Sequence, residues 1–182
     1  MKRLIERMRR WRGATSSPLQ AQPSRKRRGT PAASGDRPWP EVLEELSKRP
    51  DFRPGIADEA VAEFEARQGV LIPTDVLTYL RACDGTGQGG MDSDACMSFW
   101  PLADILPVSD VLGDCPSYDH PDCFVFADHL LHSWHYAVQL TPDPAQPAPV
   151  YCTLEAGWHS QPRWPSFREF MTAYVEDPWS AL

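Results

Sequence analysis

The chain has 182 residues, 42% hydrophobic and 10% aromatic with 19 prolines, a length that suits one domain with a proper core and leaves no room for two large ones. No stretch reaches the roughly 18 apolar residues that a membrane-spanning helix needs, and five cysteines (Cys83, Cys96, Cys115, Cys123, Cys152) without a C-x-x-C pair argue against a disulfide framework or a cysteine zinc site, as in a reducing cytoplasm. The formal charge of -7 conceals a division: residues 1 to 37 hold eleven of the eighteen Lys and Arg but only two of the twenty-five acids, Glu6 and Asp36, so the remainder carries seven basic and twenty-three acidic side chains.

The opening MKRLIERMRRWRGATS starts like a signal peptide, but Glu6, Arg7, Arg9 and Arg10 interrupt any apolar core. From Gly13 to Pro40 the chain is Ser, Pro, Ala, Gly and Arg with few large apolar residues, too little to offset the entropy of ordering. Residues 1 to 38 are therefore expected to form a disordered basic leader. Residues 2 to 12 fit a short amphipathic helix on a membrane surface or nucleic acid, and RKRR at 25 to 28 fits a localisation or phosphate-binding patch. The plain alternative is a solvated tail.

A single domain is expected from Trp39 to Leu182. PWPEVLEELSKR predicts a helix with Pro40 in its first turn and Val42, Leu43 and Leu46 on one stripe. In GIADEAVAEFEARQGVLIPTDVLTYLRACDG, Ala60, Val61 and Phe64 keep helical spacing, Asp58 and Glu59 occupy the first turn, and Gly69 suits the left-handed residue past the end. Pro73 opens a second helix in which Val76, Leu80 and Cys83 recur, and the CDG of 83 to 85 is expected to end it. Next come four predicted antiparallel strands, CMSFW (96 to 100), CFVFA (123 to 127), WHYAVQL (134 to 140) and PVYCT (149 to 153). In PSFREFMTAYVED, Ser166 and Glu169 form a capping box, and Phe167, Phe170, Met171 and Tyr174 form an apolar stripe.

The run AVAEFEARQGVLIPTDVLTYLRACDG, with Phe64-Glu65, Gly69, Leu71-x-Pro73 and Asp84-Gly85, resembles the opening motif of the SUKH superfamily, which includes fungal regulators of cell-wall glucan synthesis and many bacterial immunity proteins. FWPLADIL at 99 to 106, VFADH, WHYAVQL, PVYC and SFREFMTAYVED follow in the same order, so the resemblance covers roughly residues 56 to 177. Departures are Cys83 where many members carry Asn or His, Ala57 in place of a Ser or Thr cap, and a long loop at 112 to 122. The resemblance implies an α+β domain, SUKH-like, with a mainly antiparallel sheet packed by helices, no catalytic constellation and no cofactor. It also implies an immunity or antitoxin-like protein that neutralises a toxin by direct binding. A regulator or scaffold of cell-wall synthesis or stress signalling is the alternative, and nucleic-acid or membrane-surface binding through residues 1 to 37 is a third reading. The acidic body independently suits a basic protein partner such as a nuclease, with no obligatory nucleic acid.

The expected partner-binding residues are Asp84, Asp92, Asp94, Asp128, Trp134 and Tyr136. With Asp110, Asp114, Asp119 and Asp122, these aspartates crowd the loops around the central strands, either to face a basic toxin or simply as loops of an acidic protein. Trp134 and Tyr136 share one strand face, as interface aromatics or as core. Cys123 and Cys152 sit among apolar neighbours, as inert buried thiols do, and DGTGQGG at 84 to 90 lacks the Lys and Ser/Thr of a phosphate loop. His129, His132 and His135 suggest a metal tract, but a strand, turn and strand would send the three imidazoles apart, so no metal is expected.

Overall fold

The structure, a computed structural model, describes residues 37 to 181 except 87–89, 93–94, 114–121, 131, 141–142, 155–156 and 159–160. The expected leader therefore lies almost wholly outside the described residues. Helix α1 (Trp39–Lys48) follows Pro38, carries Pro40 in its first turn, where no intrahelical donor is lost, and buries Val42 and Leu46 with Leu43 packed beside them.

Strand β1 (Phe52–Pro54) then precedes α2 (Asp58–Gln68), which buries Val61 and Phe64 while Ala60 stays exposed. Gly69 ends α2 in the left-handed conformation, φ 69°, with its N–H on the Glu65 carbonyl, and the Glu65 side chain accepts the Ile72 N–H at 2.8 Å to close the link. Helix α3 (Thr74–Ala82) starts directly after Pro73 and buries Val76, Tyr79 and Leu80. The CDG segment does more than stop α3: Cys83 is already extended and opens strand β2 (Cys83–Thr86), which pairs antiparallel with β1.

A larger antiparallel sheet follows. It comprises β3 (Met97–Phe99), β4 (Leu106–Pro107), β5 (Cys123–His129), β6 (Trp134–Gln139), β7 (Val150–Leu154) and β8 (Gly157–Trp158), in the order β3-β5-β6-β7-β8 with β4 also on β5. All four predicted strands are present. A short helix, α4 (Val108–Leu112), lies between β4 and β5, and α5 (Phe167–Glu176) closes the domain before a 3₁₀ turn at Pro178–Ala181. Ser166 caps α5 by accepting the Glu169 N–H at 3.1 Å, and its hydroxyl donates to Glu169 Oε1 at 3.3 Å. The fold is thus α+β, with a mainly antiparallel sheet packed by helices.

The two faces of this sheet differ. One packs Phe124, Phe126, Tyr136 and Val138 against α1, α2, α3 and the fully buried Phe167, Phe170, Met171 and Tyr174 of α5. The opposite face carries a second cluster, Cys123, Val125, Ala137 and Tyr151, covered by Val108, Val111 and Leu112 of α4 and by Trp100. A register shift between Val125 and Ala127 puts Phe126 and Ala127 together in the main core and so changes which face every later residue of β5 reaches.

Candidate functional site

The bulge decides the fate of Asp128. Strict alternation from Phe124 and Phe126 would drive its carboxylate into the apolar core, whereas the extra residue turns it to the opposite face, paired in register with His135. There it is 3% exposed and satisfied from two sides. Oδ2 accepts the Trp100 indole N–H at 2.7 Å, and Oδ1 accepts the His132 backbone N–H at 2.9 Å. His132 Nδ1 lies 3.5 Å from Oδ2, His132 and His135 stack with ring centres 5.6 Å apart, and Trp100 meets both edge-on. Burial, reinforced by the neighbouring His132, pushes the His135 imidazole down to about 4, so it is neutral at neutral pH.

His129 leaves β5 on the core side, 2% exposed, stacked on Trp134 at 4.9 Å and meeting Trp179 edge-on at 6.5 Å. The expectation of three diverging histidines therefore needs correction: His129 points one way, while His132 and His135 share the other face. Stacked rings do not aim their lone pairs at one ion, and among the described residues no group of three or more His, Cys, Asp or Glu is arranged to hold a metal.

The turn joining β5 to β6 is built under strain. Leu130 and His132 have positive φ, 49° and 69°, although neither is Gly or Asn, and the Asp128 carboxylate holds the second of them through its backbone N–H. Ser133 completes the turn, its N–H on the His129 carbonyl and its hydroxyl on the Leu130 carbonyl. The turn presents Leu130, 48% exposed, to solvent.

The other expected partner-binding residues are placed differently. Asp84 is buried, accepts the Leu102 N–H at 2.7 Å and faces Arg53 at 3.7 Å, tying β2 to the turn after β3. Asp92 is buried too, taking the Ala95 N–H at 2.6 Å and the Tyr174 hydroxyl proton at 2.8 Å. Trp134 and Tyr136 do share a face, but it is the core face: Tyr136 is fully buried against Phe170 and Trp164, and Trp134 is half-buried on His129. Asp94 lies outside the described residues. Of the five that are described, only Trp134 keeps a partly open side chain near the surface.

Three of the thiols are withdrawn from solvent. Cys83, Cys123 and Cys152 are buried, and burial pushes Cys83 up to about 12 and raises Cys152, the opposite of an activated nucleophile. A groove of about 550 Å³ is lined by Ala62, Val70, Leu71 and Leu140 with Glu65 and Asp122 beside them, although Glu65 already serves the Ile72 N–H.

The surface signal lies in charge. No Lys or Arg occurs between Arg81 and Arg163, while that stretch holds eleven acids. It supplies β2 to β8, α4 and the strained turn, so these elements carry no Lys or Arg of their own. The few basic residues concentrate near α1, β1 and α3, where Arg37 pairs with Glu45, Lys48 with Glu44, Arg53 with Asp84 and Arg81 with Asp58. Asp104, Asp110 and Asp122, on the 3₁₀ turn Leu102–Asp104, on α4 and just before β5, are exposed. This gap was readable as a run of the sequence. The exposed Trp179 had no such signal, because nothing in a Pro-Trp pair after a helix says whether the ring turns in or out.

Among the described residues no helix is long and apolar enough to cross a membrane. Residues 55 to 173 match the SMI1 / KNR4 family (SUKH-1). No curated protein matches the chain.

Proposed function

The chain belongs to the SMI1 / KNR4 family (SUKH-1), and from that premise we propose that it is a non-enzymatic binding module of the cytoplasm that neutralises a cationic toxin, such as a nuclease, by occluding it. Residues 39 to 182 carry the role, with residues 1 to 38 as a leader. The observation that supports this reading is the stretch from residue 82 to 162, which contains no Lys or Arg and carries the exposed Asp104, Asp110 and Asp122. A toxin that binds nucleic acid presents a basic surface, and carboxylates held on short helical turns and at a strand end beside the sheet steer such a surface inward and compete with phosphate for it. Asp84, Asp92 and Asp128 serve from beneath, by holding the loops and the turn that carry the outer residues.

The test is protection. Where a neighbouring gene encodes a cationic nuclease, the full chain mixed with that nuclease should suppress cleavage at near-stoichiometric ratio, and the double variant Asp104→Lys/Asp110→Lys should lose most of that suppression. Undiminished cleavage in the presence of excess chain would contradict the proposal and favour a regulatory or scaffold role.

A further inference from the structure

Two of the large apolar side chains that the described residues expose, Trp179 at 57% and Leu130 at 48%, belong to segments far apart in sequence that are both linked to buried His129, Trp179 by a ring contact and Leu130 as its chain neighbour. Leu130 follows His129 in the strained turn. Trp179 reaches the ring edge-on from the 3₁₀ turn beyond α5, and Trp134 stacks on it at 4.9 Å with an interplanar angle of 14°. The Asp177 carboxylate fixes the end of this arrangement by accepting the Trp179 N–H at 3.1 Å. Glu176 and Asp177 are exposed beside Trp179, no Lys or Arg occurs from Glu169 to the end of the chain, and Arg49 of α1 lies over the Tyr174 ring one turn back. The result is an open indole, an open leucine and two carboxylates, supported by a stack of rings and set at the border of the cation-free stretch.

We propose that this step of aromatic rings is a docking point for an arginine-bearing loop of the cationic partner, a proposal that rests on the neutralising reading above. The chemistry favours arginine over lysine. A planar guanidinium lies flat on an indole while its edge donates to a carboxylate, whereas an ammonium offers a compact, strongly hydrated charge. Exposed Trp rings that are braced from behind are also the side chains that most often dominate interface energies. Leu130 supplies the apolar contact for the stem of the arginine.

The experiment uses the full chain labelled with ¹⁵N, titrated with nona-arginine and separately with nona-lysine at near-physiological salt, following the indole N–H signals. The Trp179 signal is assigned by its loss in Trp179→Phe. Nona-arginine should move the Trp179 and Trp134 indoles and leave Trp39 and Trp164 in place. It should bind about fivefold or more weaker to Trp179→Ala, and not detectably to Trp179→Arg. Glu59→Gln on α2 should bind as the parent does. Affinity within about twofold for Trp179→Ala, equal response to both peptides, no binding of nona-arginine, or movement of Trp179 by duplex DNA or anionic vesicles instead would each overturn the proposal. The two readings separate cleanly: nona-arginine bound at Trp179 without protection from the toxin sinks the neutralising reading alone, and full protection by Trp179→Arg sinks the docking point alone.

Discussion

Asp128 and Trp100, twenty-eight residues apart, meet through a 2.7 Å bond from the indole N–H to the carboxylate, on the face of the sheet opposite the main core. The same carboxylate restrains the strained turn through His132. Removing it leaves two part-buried donors without their acceptor and removes the tether of a left-handed residue. Asp128→Ala is expected to cost about 2–3 kcal/mol in urea unfolding, and Asp128→Asn less, because an amide oxygen still accepts one of the bonds.

His135 sets the response to acid. Its folded value, about 4, lies below the 6.5 of an ordinary histidine, so on acidification the unfolded chain takes up this proton first. Stability from this group is therefore full above pH 6.5 and lost as the pH falls from 6.5 towards 4, by up to about 3 kcal/mol. His129, lowered by burial, acts in the same direction. Asp75, raised by burial, opposes them at the acid end. Thermal unfolding of the parent should shift down over this window, and His135→Gln should flatten the shift. A parent profile that is level between pH 6.5 and 4.5 would contradict the placement of His135.

Two glycines with nearly the same φ should respond differently to alanine. Gly69, φ 69°, has open space where a Cβ would stand, so Gly69→Ala meets only the left-handed backbone penalty, about 1 kcal/mol. Gly85, φ 66°, would drive the Cβ into the Phe99 carbonyl and the Trp100 backbone. Gly85→Ala is expected to cost more than about 3 kcal/mol, because backbone on both sides has to give. Comparable losses in the two variants would contradict the packing of β2 on β3.

Leu130 separates stability from binding. Its φ of 49° is one that glycine adopts freely, so Leu130→Gly should keep or raise the free energy of unfolding, by up to about 1 kcal/mol, while weakening partner binding. A loss of more than about 1 kcal/mol would show that the leucine serves the fold and not a partner.

Much of the frame is legible in local chemistry. Gly69, Pro73 and Ser166 each mark a helix boundary that their backbone or side chain requires, and β5 to β7 declare themselves by aromatic and β-branched runs. Strands β1 and β2 are not legible: each is three or four residues long, and their partnership depends on a contact across α2 and α3 that no window reveals. The site suffers from a different limit. A sequence gives an aspartate its charge but not its depth, and Asp84 and Asp92 turn out to be acceptors for backbone N–H groups and a tyrosine. The Asp128 hub depends on the bulge at Phe126, which shifts the period of two by one residue and leaves no mark in the residue types.

The central claim is that the exposed acids of the lysine- and arginine-free stretch from 82 to 162 bind a cationic protein. Calorimetric titration of the full chain with a cationic nuclease found encoded by a neighbouring gene, at low and at near-physiological salt, tests it most directly. The account predicts a one-to-one complex that weakens as salt rises and loses at least about tenfold in affinity in Asp104→Lys/Asp110→Lys. No heat of binding, or an affinity that neither salt nor the charge reversal changes, would contradict it.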